Sequence, residues 1–108
     1  MKLSRTYSFE SAHQLPDWPG IHGHSYEVEI VLKGQGTSDY VLPVSVFDQS
    51  VKPVIEKIDH TMLNDIIPVP TMENIARWFW GELSALPLCE IRVHRPTLKM
   101  TCVYDGTD

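Results

Sequence analysis

Two long stretches near the start of the chain alternate apolar and polar residues with a period of two. In residues 2–13 the odd positions Leu3, Tyr7, Phe9 and His13 fall on one face. In residues 22–33 the even positions His22, His24, Tyr26, Val28, Ile30 and Leu32 share a face, with Glu27, Glu29 and Lys33 on the other. This alternation predicts two half-buried strands, and the turn-rich run Gly34–Asp39 ends the pair. The period then changes. Phe47, Val51, Val54, Ile55 and Ile58 recur at spacings of three and four, predicting a helix that starts near Ser45, with Pro53 inside it as a local cost and a possible kink. A connector, residues 59–65, leads to a loop at Pro68–Pro70. Thr71 is a good N-cap for a second helix, with Glu73 in its first turn and Ile75, Trp78, Phe79, Leu83 and Leu86 as a core-facing stripe. Glu90–Arg95 and Leu98–Tyr104 read as a closing hairpin around Pro96 and Thr97. The predicted order is β-β-α-α-β-β, an α+β arrangement with both helices on one face of an antiparallel sheet.

Composition narrows the class. A length of 108 residues predicts a single domain spanning 1–108, and 43% hydrophobic with 21% charged residues is ordinary for a globular chain. The net charge of −5, from 9 basic against 14 acidic residues, argues against a nucleic-acid partner. No apolar run has the length of a membrane span, and Met1–Arg5 has no apolar signal core, so the expectation is a cytoplasmic protein with no membrane partner. Cys89 and Cys102 have no framework spacing and are expected to be reduced thiols.

The candidate chemistry lies on the first strand pair. His22 and His24 are two apart and point to one face; in an antiparallel hairpin of residues 3–13 with 22–32, His13 lies opposite His22. Three neutral imidazoles with an open fourth position are the ligand set of a catalytic zinc, although ligand type alone also admits nickel or iron. A single histidine on an apolar strand face is more often a packed core residue. Three that converge by parity and pairing are harder to explain that way, because each unpaired buried polar group costs about 1–3 kcal/mol.

Four blocks of the chain, in this order, resemble the 6-pyruvoyl-tetrahydropterin synthase and 6-carboxy-tetrahydropterin synthase family. They are Phe9-Glu10-Ser11-Ala12-His13, His22-Gly23-His24-Ser25-Tyr26, Asp59-His60 with Leu63-Asn64-Asp65, and Pro70-Thr71-Met72-Glu73-Asn74. The resemblance implies a T-fold whose sheets join between copies into a barrel, as trimers or as hexamers built from two trimers. It implies Zn2+ on His13, His22 and His24, and a lyase reaction on the side chain of 7,8-dihydroneopterin triphosphate or a related pterin. In bacteria the usual role of the family is an early step toward queuosine. Asp59 and His60 match the family's Asp-His pair, in which the histidine moves protons and the aspartate orients it. Thr71 and Glu73 fall in the segment bordering the family's pterin pocket, and helix capping alone would also account for both.

The chain departs from the family pattern at three places. The family carries a cysteine four residues before the first histidine of the HGH block, where this chain has Trp18 in a short loop running from Gln14 to Ile21; Asp17 is the only ionisable residue nearby. Neither Cys89 nor Cys102 replaces that thiol by position. The glutamate that holds the pterin edge is expected eight residues before Tyr104, which lands on Pro96, and the adjacent Arg95 would favour an anionic group instead. Pro43 stands close to the register of an aspartate that usually precedes the first helix. Alternatives to a pterin lyase are therefore a non-catalytic metal- and ligand-binding T-fold subunit, and an enzyme acting on a different small anionic substrate through Arg95 or His94.

A four-stranded sheet leaves two edges that proteins usually pair or cover. Size-exclusion chromatography with light scattering is expected to show a homo-oligomer; a monodisperse monomer would overturn that expectation.

Overall fold

The computed structural model describes residues Met1–Asp108. Its elements are β1 (Lys2–Leu15), β2 (Trp18–Lys33), α1 (Val44–Ile58), β3 (Thr61–Met62), a 3-10 turn (Leu63–Asp65), α2 (Met72–Glu82), β4 (Leu88–Arg95) and β5 (Met100–Tyr104). The sheet has five strands in the order β3-β1-β2-β4-β5. All neighbours are antiparallel except β1 and β3, which run parallel. The α+β class and the two strand pairs match the expectation from hydrophobic periodicity. The extra strand is only two residues long, and strands this short leave no periodic signal.

Both helices cover one face of the sheet. Phe47, Val51, Val54 and Ile58 of α1, with Ile75, Ala76 and Phe79 of α2, join Tyr7, Phe9, Tyr26, Val28, Ile30, Leu32, Ile91 and Val93 in one cluster of buried side chains. Phe9 stacks on Tyr26 with ring centroids 4.9 Å apart, and Phe79 packs against Phe9 at 5.9 Å, tilted by 50°. The opposite face is polar, with Glu29 between Arg92 and His94. Tyr7 donates a hydrogen bond of 2.8 Å to Asp48, which also pairs with Arg5, fastening α1 to β1.

Several boundaries differ from those predicted. The expected loop from Gln14 to Ile21 is mostly strand: β1 and β2 continue to a tight turn at Pro16 and Asp17, with Leu15 paired to Trp18. Main-chain pairing extends the ladder past the end of the alternating pattern. Helix α1 begins one residue before Ser45, and Pro53 lies on its exposed face within an unbroken helix. In α2, Ala76 is fully buried while Trp78 is only partly so, and the helix ends before Leu86. Leu3 is partly exposed rather than in the core. No helix is long and apolar enough to cross a membrane.

Phe9 is 2% exposed at the centre of this aromatic stack. Phe9→Ala is expected to lower unfolding stability by about 3–5 kcal/mol, measured by urea denaturation; a loss below about 1 kcal/mol would mean that the stack is not the packing centre.

Candidate metal centre

The register of β1 on β2 pairs His13 with His22, as the alternation predicts, and Ser11 with His24. The three imidazoles pack edge to face, with centroids 4.6–4.9 Å apart. Their ligand-capable atoms all lie within 4.8 Å of one another. His13 is buried, and His22 and His24 are half-buried.

Backbone carbonyls fix the tautomers of two of them. His13 Nδ1 lies 3.1 Å from the Pro70 carbonyl oxygen and His22 Nδ1 lies 3.3 Å from that of Gly20. A carbonyl can only accept, so each Nδ1 carries the proton and each Nε2 keeps its lone pair. Those two Nε2 atoms are 3.0 Å apart. Two lone pairs aimed at each other in a half-buried site repel unless a cation or proton lies between them. Carbonyl-oriented imidazoles are also how metal-binding histidines are usually held. His24 Nε2 is buried with no hydrogen-bond partner, an orphan that a metal would satisfy once the ring's proton sits on Nδ1. The donor set therefore fits a metal ion such as zinc.

The connector after α1 runs along β1 as a strap. Glu10 N–H donates to Asp59 Oδ1 at 2.9 Å, and His60 N–H donates to the Glu10 carbonyl at 2.6 Å. Thr61 and Met62 then pair with Ser11 and Ala12 as β3. The Ser11 hydroxyl donates to the Ile58 carbonyl. At the far end Asn64 takes both main-chain groups of Gln14: its Oδ1 accepts from Gln14 N–H at 2.8 Å and its Nδ2 donates to Gln14 O at 2.9 Å. Gln14 is the bulge residue immediately after His13, where the β1–β2 register shifts.

Asp59 and His60 come together, with Asp59 Oδ1 3.0 Å from His60 Nδ1. The Glu10 N–H, and then His60, hold the Asp59 carboxyl below the usual carboxylate range. His60 adopts φ 57° and lines a cleft of about 530 Å³ together with His24, Glu10 and Ser25. Thr71 and Glu73 do not line this cleft. The Thr71 hydroxyl caps α2 by accepting from Asn74 N–H at 3.2 Å, and Glu73 is exposed in its first turn. Asn74 Nδ2 in turn donates to Val69 O at 2.8 Å, fixing the loop that offers Pro70 O to His13. The segment thus borders the histidines through a backbone carbonyl, a contact with no side-chain signal in the sequence.

Arg95 reaches the centre as well. Its Nη2 is 2.7 Å from His24 Nδ1. Parity could have indicated this contact, since Arg95 shares its face with Ile91 and Val93 at the end of β4. Burial, and then the charge of Arg95, push the His24 pKa down to about 4. Burial also lowers that of His13, against the opposing effect of its bond to Pro70. Tyr26, whose hydroxyl is 3.3 Å from His13 Nδ1, is pushed up to about 12 by burial and stays neutral. Trp18 and Asp17, at the tip of the hairpin, are exposed.

Both lowered histidine values have the same sign for stability. Between pH 6.5, the ordinary histidine value, and about 4, the unfolded chain binds protons that the folded chain does not. Stability of the zinc-free protein should therefore fall as pH drops through that window, and below it the depressed Asp59 carboxyl adds a further loss. Urea unfolding from pH 7 to pH 4 is expected to show a shallower decline in His24→Gln than in the parent; equal slopes would contradict a depressed His24.

The comparisons with known proteins agree with this architecture. The family model described as 6-pyruvoyl tetrahydropterin synthase matches residues 2–107. The chain is 37% identical over 73 residues to the dihydroneopterin monophosphate aldolase of Pyrococcus furiosus, covering 66% of this chain and 64%, just under two thirds, of that protein. It is 35% identical over 94 residues to the 6-carboxy-5,6,7,8-tetrahydropterin synthase of a Synechocystis species, covering 75% and 73%. The fold superposes on the 6-pyruvoyl tetrahydropterin synthase of Caenorhabditis elegans with a TM-score of 0.82 at 19% identity, over 99% of this chain and 96% of that one. The chain belongs to the 6-pyruvoyl tetrahydropterin synthase family.

Proposed function

We propose that the protein is a zinc-dependent pterin lyase acting on the side chain of 7,8-dihydroneopterin triphosphate or a related pterin. The observation that carries this reading is the convergence of His13, His22 and His24, two of them held by carbonyls with Nε2 free. Family membership supplies the pterin, and the names of two relatives, a dihydroneopterin monophosphate aldolase and a 6-carboxy-tetrahydropterin synthase, indicate side-chain chemistry. When bound, zinc would supply Lewis acidity toward the side-chain hydroxyl oxygens and so acidify the protons on neighbouring carbons.

The proton-moving group is His60. Asp59, kept ionised by the Glu10 N–H, accepts from His60 Nδ1 and leaves Nε2 as the basic nitrogen. The strap of residues 59–64 holds this pair at the cleft that His24 also lines. Thr71 and Glu73 are assigned to the border of the pterin pocket, next to the Pro70 carbonyl that orients His13.

Zinc-loaded protein incubated with dihydroneopterin triphosphate or monophosphate is expected to release a side-chain fragment or triphosphate, followed by chromatography. His60→Ala should lower that turnover about a hundredfold while elemental analysis finds zinc unchanged. Absence of turnover on both substrates by the parent would overturn the lyase reading, and unchanged turnover in His60→Ala would remove the pair from the mechanism.

A further inference from the structure

Arg95 bonds to the candidate metal centre in the wrong sense for a metal-binding histidine. A guanidinium has only donors, so at 2.7 Å the Nδ1 of His24 must accept. A neutral imidazole that accepts at Nδ1 carries its proton at Nε2. His24 in that state has no lone pair at Nε2 for a metal, whereas His13 and His22 are fixed the other way round. A metal bound through Nε2 leaves the proton on Nδ1, and two donors then face each other. A metal bound through Nδ1 would take the lone pair that Arg95 uses. By either nitrogen, three-histidine coordination and the Arg95 contact exclude one another.

The guanidinium has no ion-pair partner in the chain, although Glu27 lines the same surface cleft. Arg92 is paired with Glu29 and Glu90, but Arg95 enters no ion pair, and its Nε is buried without a partner. A half-buried cation whose one hydrogen bond goes to a neutral ring is an incomplete anion site. Its planar fork suits an oxyanion, phosphate or carboxylate, held by two parallel hydrogen bonds.

We propose that a metal bound by His13, His22 and His24 displaces Arg95 from His24, and that the freed guanidinium binds an oxyanion group of the substrate beside the metal. Metal and anion sites are then linked: each favours the arrangement that the other needs. The inference rests on the metal-centre reading above and specifies which part of the substrate is held there.

Zinc affinity is measured by competition with a chromophoric chelator, and anion binding by calorimetry with inorganic phosphate and with acetate. Arg95→Ala, and Arg95→Met as a variant that keeps the aliphatic volume, are expected to bind zinc about tenfold more tightly than the parent, because the competing hydrogen bond is gone. The zinc-loaded parent should bind phosphate or acetate, and the preferred anion identifies the group recognised. That binding should vanish in both variants and in the metal-free parent. Equal or weaker zinc affinity in both variants would overturn the displacement. Anion binding that persists without Arg95, or is absent from the zinc-loaded parent, would overturn the oxyanion role. A parent that takes up no stoichiometric zinc would overturn the metal centre itself, a failure distinct from the other two.

Discussion

The antiparallel register between β1 and β2 is the constraint on which the rest of the molecule depends. It sets His13 opposite His22 and places His24 two residues along on the same face, so one ladder of main-chain hydrogen bonds positions all three imidazoles. The same register sends Phe9 and Tyr26 into the core as a stacked pair. A slip of one residue would turn His22 and His24 to the polar face and expose Tyr26, Val28 and Ile30 at once. Core packing and site geometry are therefore enforced together. The energy that buries the apolar face also fixes the histidines at the end of the sheet where that face meets solvent.

Around this ladder the other elements supply what a strand pair lacks. An isolated hairpin leaves an unpaired edge and an irregular bulge beside His13. The strap from Asp59 to Asn64 fills both deficits, pairing with Glu10, Ser11 and Ala12 and enclosing the main-chain groups of Gln14. The dipeptide that starts the strap is also the Asp59–His60 pair, so edge protection and this charged contact come from one segment. Helix α2 contributes through its cap: Thr71 and Asn74 hold the loop whose Pro70 carbonyl orients His13. The charge balance around the centre is uneven in a chain of net charge −5, because Arg95 stands beside His24 with no carboxylate. That cation depresses His24 further than burial alone would.

Legibility in the sequence followed the strength of the periodic signal. Alternation over a dozen residues in β1 and β2 identified the face and pairing of the three histidines, and spacings of three and four located both helices near their observed positions. The hairpin tip, the two-residue β3 and the 3-10 turn escaped because main-chain pairing forms them, without a side-chain pattern. The motif Leu63-Asn64-Asp65 was visible as a family resemblance, yet its task at the Gln14 bulge was not. An amide that satisfies a distant backbone group looks the same in sequence as one in solvent.

The sequence by itself determined which residues lie on the buried face of the first strand pair, because side-chain direction in a strand depends only on parity. It therefore determined that three histidines share one end of that face. Tertiary structure decided the hydrogen-bond sense at His13 and His24, while His22 takes its carbonyl from its own strand. Pro70, Gly20 and Arg95 reach His13, His22 and His24 across sequence separations of 57, 2 and 71 residues. Two of these partners are carbonyls that every residue type carries, and the third is a guanidinium whose reach depends on how β4 docks on β2. Tautomer and charge follow from such contacts, so which histidines converge was local information and their chemical state was not.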